Sequence, residues 1–124
     1  MTLLLDTHML LWWLGDDPRL PTGVEEVVAA GDVEVAVSAA TVWEIGIKRA
    51  LGKLAAPDDL LDEVRRQNFT GWPITLEDGA AAADLPRHHD DPFDRVLIAQ
   101  ALRRGAQVAS VDRRFGAYGV PVLP

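Results

Sequence analysis

Apolar positions recur with two different spacings along the chain, and the changes of spacing mark its elements. Leu3 to Leu5 form a short apolar run that stops at Asp6, and the polar turn behind it favours a central strand. Gly15, Asp16, Asp17 and Pro18 break the chain. Val24, Val27 and Val28 then recur at helical spacing between Thr22 and Ala30, until Gly31 stops them. Val33, Val35 and Val37 alternate with Glu34 and Ala36, the period of a strand, and Ser38 behind them is a natural N-cap. The helix it opens runs through Trp43, Ile47 and Leu51 to Gly52, placed for the left-handed residue after a helix. Pro57 and Asp58 start a further helix with Leu60, Leu61 and Val64 on one face, and Trp72 to Leu76 reads as a third strand.

Glu77 to Leu85 is an alanine-rich helix closed by Pro86, and a polar loop of Arg87, His88, His89 and Asp90 follows. Asp91, Pro92 and Asp94 then supply the N-cap, first and third positions of a helix that continues through Val96, Leu97, Ala99 and Gln100 to Gly105. Gln107 to Val111 is a fourth strand ending at Asp112. Val120 to Leu123 is a fifth, placed at an edge because Pro121 cannot donate to a ladder. Strands alternating with helices along the whole length predict an α/β fold with a mostly parallel sheet of four to five strands.

The length of 124 residues fits a single domain spanning 1–124, and 48% hydrophobic with 25% charged residues is a globular composition. The apolar start is interrupted by Asp6 and His8 and has no basic leader, so neither a membrane span nor an export signal is expected, and the protein is expected in the cytoplasm. There is no cysteine, which excludes disulfides, thiolate metal sites and thiol nucleophiles; a metal site must use carboxylates or the three histidines. The net charge of −7 is the wrong sign for a protein that wraps polyanions. That objection lapses if several carboxylates bind divalent cations, because the ion reverses the local sign.

Two predicted strands end in an aspartate, Asp6 and Asp112, and a third ends in Ser38. In open α/β sheets ligands bind beyond the carboxyl ends of the strands, so parallel neighbours bring Asp6 and Asp112 to one rim. The first turn of the helix capped by Asp91 can add Asp94, and Glu44 overhangs the rim from the helix behind Ser38. Two carboxylates about 5 Å apart repel by roughly 3 kcal/mol at an effective dielectric near 20. Four of them call for a counter-ion. Oxygen donors without sulfur suit Mg²⁺ or Mn²⁺, one or two ions, and the matching reaction is phosphodiester hydrolysis.

Each acid also has a structural reading. Glu44 stands four residues before Lys48, the favoured order for a surface helix pair. Asp94 is where a capping arrangement places a carboxylate, and Asp112 suits the cap of a turn. Asp6, between Leu5 and Met9, is the costliest to explain structurally. Zinc is disfavoured because His88 and His89 are adjacent and point apart; both are expected as solvated loop residues. Trp12, Trp13, Trp43 and Trp72 read as core or subunit interface, and Lys48, Arg95, Arg113 and Arg114 as a local basic fringe.

The segments LLLDTHMLLWWL, SAATVWEIGIKRALGKL, LPRHHDDPFDRVLIAQA and SVDRRFGAYGVPVL closely resemble PIN-domain ribonucleases, in particular VapC-type toxins of bacterial toxin–antitoxin pairs. The resemblance covers nearly the whole chain. It implies a catalytic, metal-binding quartet of Asp6, Glu44, Asp94 and Asp112, with Asp91, Ser38 and Ser110 as helix caps or supports behind it. Ser110 stands where the family usually has threonine. The resemblance further implies an α/β/α sandwich, a homodimer, Mg²⁺ or Mn²⁺, an RNA substrate such as tRNA or loop RNA contacted by Lys48, Arg95 and Arg113, and a cognate antitoxin that blocks the site. Two competing readings are a catalytically silent module acting through antitoxin or RNA contacts and a phosphotransferase or receiver domain. An intact quartet opposes the first, and His8, where a phosphotransferase needs a second carboxylate, opposes the second.

Overall fold

Leu3, Leu4 and Leu5 are all completely buried, so the strand they form has no solvent face and needs partners on both edges. In the computed structural model, which describes residues 1–124, this strand is β1 (Thr2–Leu5). It lies between β2 (Glu34–Ser38) and β4 (Gln107–Ala109), with β3 (Thr70–Trp72) and β5 (Val122–Leu123) at the edges. The order is β3-β2-β1-β4-β5 and every pair is parallel. Helices α1 (Thr7–Leu14), α2 (Thr22–Ala30), α3 (Ala39–Ala50), α4 (Leu60–Arg66), α5 (Leu76–Asp84) and α6 (Pro92–Arg104) connect the strands, and a 3₁₀ helix covers Arg113–Tyr118. No helix is long and apolar enough to cross a membrane.

Strand alternation divides the core in two. Leu3, Leu5, Val35, Val37 and Ala109 face Met9, Leu10, Val24, Val28 and Val64 from α1, α2 and α4. Leu4, Ala36 and Val108 face Leu97, Ile98 and Ala101 of α6, with Phe115 behind them. The result is the expected α/β/α sandwich, with the sheet wholly parallel.

The third strand lies earlier than the sequence pattern placed it, at Thr70–Trp72 instead of Trp72–Leu76. Pro73 has no N–H for the ladder, and Thr75 caps α5, which draws Leu76 into the helix. The helix expected from Pro57 opens at Leu60, and the fourth and fifth strands are shorter than expected. Pro121 sits at the edge as expected, using its carbonyl to accept from the Val108 N–H at 2.9 Å. Gly105, at φ +63°, supplies the left-handed residue that ends α6.

One buried acid ties α5 to α6. Asp78 completes a capping box with Thr75 and has no exposed side-chain surface. Its carboxylate also accepts from Gln100 Nε2 at 3.2 Å, Arg103 Nη1 at 2.5 Å and Arg104 Nη1 at 3.3 Å. Burial alone would raise its pKa, but the Thr75 N–H, the Gln100 amide and the two guanidinium groups outweigh it and hold it at about 2. The folded value lies below the ordinary 3.8, so this stabilisation is complete above that value and is lost as pH falls towards 2. Because both arginines are partly exposed, replacing Asp78 with Asn should cost about 1.5–3 kcal/mol at neutral pH. Urea unfolding at neutral and acid pH checks this: the deficit should shrink on the acid side, and an unchanged midpoint at neutral pH would count against the network.

Candidate metal centre

The parallel register builds the rim. Leu4 pairs with Ala36 and Leu5 with Ala109, so the same register carried onward sets Asp6 level with Ser38 and Ser110. The strand order reverses at β1, the position at which open α/β sheets leave a crevice. The chain leaving β1, β2 and β4 turns at this rim into a helix whose N-terminus is capped by a short polar side chain.

Asp6 caps α1, accepting from the Met9 N–H at 2.9 Å. Burial pushes its carboxyl pKa up, against the lowering effect of that N–H and of the Ser110 hydroxyl. Ser38 caps α3 through the Ala40 N–H at 3.0 Å, and α3 then carries Glu44 into the interior at 4% exposure. Thr7 donates its hydroxyl to Glu44 Oε1 at 2.6 Å, and Lys48 pairs with Oε2. The Glu44–Lys48 pair is therefore present, but its carboxylate is buried at the cavity wall instead of lying on an open helix face.

Asp91 caps α6, with Oδ1 accepting from the N–H groups of Phe93 at 2.9 Å and Asp94 at 3.1 Å. The Asp94 side chain takes no part in that cap; its Oδ2 lies 2.9 Å from His89 Nε2. Asp112 caps the 3₁₀ helix and is gripped by Arg114, whose Nε and Nη2 donate at 3.1 and 2.8 Å. That guanidinium holds the Asp112 pKa below the ordinary value. Ser110 accepts from the Asp112 N–H at 3.0 Å and so joins two of the acids.

These groups enclose a cavity of about 330 Å³ lined by Asp6, Glu44, Asp91, Asp94 and Asp112 together with the cations Lys48 and Arg114. Five carboxylates against two cations leave an excess of negative charge, and Asp94 carries the consequence. Burial, then the charges of Asp91, Glu44, Asp6 and Asp112, raise its pKa to about 7. All these donors are carboxylate oxygens, the set a hard divalent cation takes, and such an ion would relieve the repulsion. Asp6, Glu44, Asp94 and Asp112 fit Mg²⁺ or Mn²⁺ on that ground.

The structure thus gathers all four predicted acids, with Asp91 and Lys48 beside them. It corrects Arg95: the guanidinium donates to the carbonyls of Ala82 at 2.8 Å, Leu85 at 2.9 Å and Pro86 at 3.0 Å, tying α5 to α6 instead of facing a substrate. Arg113 is exposed and lines a neighbouring hollow beside Gly116, while Arg114 takes the place at the cavity. His89 is also corrected. Adjacency does turn the two rings apart, but only His88 is exposed, and the His89 side chain is entirely buried. Trp72 is core, Trp12 and Trp13 are half-buried, and Trp43 is 62% exposed against Phe93. Thr7 and His89 are the site residues that sequence reasoning missed, and Arg114, expected in the basic fringe, is the arginine of the Arg113–Arg114 pair that reaches the cavity. Thr7 adjoins Asp6 and His89 stands two residues before Asp91, and that proximity was the available signal.

A model of the PIN domain family matches residues 3–121. The chain belongs to the PIN domain family. Ribonuclease VapC22 of Mycobacterium tuberculosis is 30% identical over 128 residues, covering 97% of this chain and 94% of that protein. Among solved structures, VapBC2 from Rickettsia felis bound to a promoter DNA fragment superimposes with a TM-score of 0.73 at 10% identity, covering 99% and 98% of the two chains. DNA-bound VapBC from Salmonella typhimurium gives 0.72 at 19% identity, covering 99% and 97%. FitAcB from Neisseria gonorrhoeae gives 0.69 at 22% identity, covering 98% and 96%. At those identities the structures establish that the fold is shared.

The acid cavity makes the stability of this PIN domain depend on pH in a direction opposite to that set by Asp78. With no ion bound, Asp94 is raised from 3.8 to about 7, so the native state keeps a proton that the unfolded chain releases. Stability should therefore fall as pH rises from about 4 to 7, and the deficit is complete above 7. Asp94→Asn in EDTA should be more stable than the parent by on the order of 2–4 kcal/mol at pH 8, and equal to it near pH 4. Thermal unfolding across that range checks the expectation, and parity at pH 8 would refute it.

Proposed function

We propose that this PIN domain is a Mg²⁺- or Mn²⁺-dependent endoribonuclease, the toxin of a toxin–antitoxin pair, which hydrolyses phosphodiester bonds of tRNA or other loop RNA. The observation that carries the reading is the convergence of Asp6, Glu44, Asp94 and Asp112 on one cavity rich in oxygen donors. The relative named Ribonuclease VapC22 supports the reaction and the substrate class.

Asp6, Glu44, Asp94 and Asp112 would hold the ions. The chemistry such an ion would supply there is a lowered pKa for a water and neutralised charge at the phosphate. The rest of the work belongs to the chain itself. Thr7 and Lys48 fix the two oxygens of Glu44 separately, and Arg114 fixes both oxygens of Asp112, so neither acid needs to reorganise when an ion arrives. Lys48 and Arg114 also give the cavity wall its positive charge, where a phosphodiester must enter.

An antitoxin partner is supported by the VapBC complexes among the structural relatives. An apolar groove of about 480 Å³ between α3 and α4, walled by Val42, Trp43, Leu61 and Trp72, is suited to a partner segment. Exposed Trp43 and Ile47 on α3 and Leu51 at its end, one turn apart, support a homodimer. A cytoplasmic location accords with this reading.

Purified protein should cut a mixed pool of tRNA and single-stranded RNA with Mn²⁺ or Mg²⁺ and not in EDTA. Asp6→Asn should lower the rate by roughly 100-fold or more, since the acid adjoins the ion. Cutting that survives both EDTA and the substitution would belong to a contaminant and would remove the support for the reading.

A further inference from the structure

His89 has no side-chain exposure and both of its ring nitrogens are engaged. Nδ1 accepts from the Asp91 N–H at 3.0 Å, so its lone pair is in use and the ring proton resides on Nε2. That proton points at Asp94 Oδ2, 2.9 Å away. The ring stands edge-on to Phe115 with centroids 6.2 Å apart, and Tyr118 Oη and Arg95 Nη1 each donate to the His89 carbonyl at 3.4 Å. The ring is held by Asp91, Asp94 and Phe115, all of which also line the cavity.

What this arrangement prevents is visible elsewhere in the same chain. On α5, Asp78 at the third helical position turns back and accepts from the Thr75 N–H at 3.1 Å, closing a capping box. Asp94 holds the same position on α6, behind the cap Asp91. There the cap N–H is already taken by His89, and Asp94 is drawn outward by Nε2.

We propose that His89 is a positioning residue for the metal centre: it occupies the cap N–H and donates to Asp94 Oδ2, keeping that carboxylate out of a capping box and leaving Oδ1 for a divalent cation. The inference rests on the metal-dependent reading above. It also decides between two roles for the ring, because His89 Nε2 and carboxylate oxygens of Asp94 and Asp112 lie within 4.8 Å of one another, close enough for all three to be ligands. An imidazole that received an N–H at Nδ1 and an ion at Nε2 would carry no proton at all. It would be an anion beside five carboxylates, so the ring serves as donor and not as ligand.

The test compares Mn²⁺ binding by calorimetry in the parent, His89→Phe and His89→Gln. Phe fills the volume without a donor and should weaken binding roughly 10- to 100-fold, the usual effect of removing a partner behind a ligand. Gln has an amide nitrogen that reaches the position of Nε2, and should stay within about fivefold of the parent. Long-range nitrogen NMR of the parent needs no variant and should show Nε2 protonated and Nδ1 bare, both ion-free and with Mg²⁺. Parent-like affinity in His89→Phe would overturn the positioning role while leaving the metal reading intact. A Gln variant as weak as Phe, or loss of the Nε2 proton on adding Mg²⁺, would make the ring a ligand and overturn it too. A parent that bound no Mn²⁺ would overturn both readings.

Discussion

Parallel pairing of β1 on both edges is the constraint from which the rest follows. A strand with three fully buried leucines admits no solvent face, and parallel neighbours point their carboxyl ends the same way. Helices that start at that rim must satisfy the free N–H groups of their first turns. Asp6, Ser38, Asp91 and Asp112 meet that need. Three of the four caps are carboxylates, so satisfying the backbone also delivers negative charge to one place. Capping and ion binding are therefore compatible uses of one aspartate, since the Met9 N–H engages Oδ1 of Asp6 and a carboxylate carries two oxygens.

The charge gathered this way is only partly met within the protein. The helix N-termini present partial positive charge to the cavity, and Lys48 and Arg114 each hold one acid. The acids respond unequally. Asp112, with a guanidinium on both oxygens, is shifted down, whereas Asp94, half-enclosed and with no cation of its own, is shifted up. The repulsion that remains is concentrated on one carboxyl group, which is where an added cation changes most.

The strand-end acids, the Ser38 and Asp91 caps and the edge position of Pro121 were legible because each depends on a few neighbouring residues. The third strand was misplaced by a competition that local pattern does not weigh: Trp72–Leu76 is apolar enough for a strand, but Thr75 and Asp78 make a stronger helix start. Arg95 left the expected basic fringe for a related reason. Arg95 directly follows Asp94 and Arg114 stands two residues after Asp112, and only the placement of α5 brings the Arg95 guanidinium to carbonyls while that of Arg114 meets Asp112. The family resemblance brought Glu44 forward where spacing alone left a surface ion pair equally well supported.

His89 shows where the reasoning from spacing stopped short. Two adjacent side chains in a loop do point apart, but one direction leads inward when the loop packs against a helix start. Here His88 meets Tyr118 at the surface and His89 meets the start of α6. The two aspartates at third helical positions make the same point from the other side. Asp78 and Asp94 have equivalent local positions, yet one closes a capping box and the other faces a cavity, because a histidine two residues before the cap has taken the N–H that Asp94 would use. Local sequence prescribes a carboxylate near a helix start; whether it serves the backbone or the cavity depends on which acceptor reaches that N–H first.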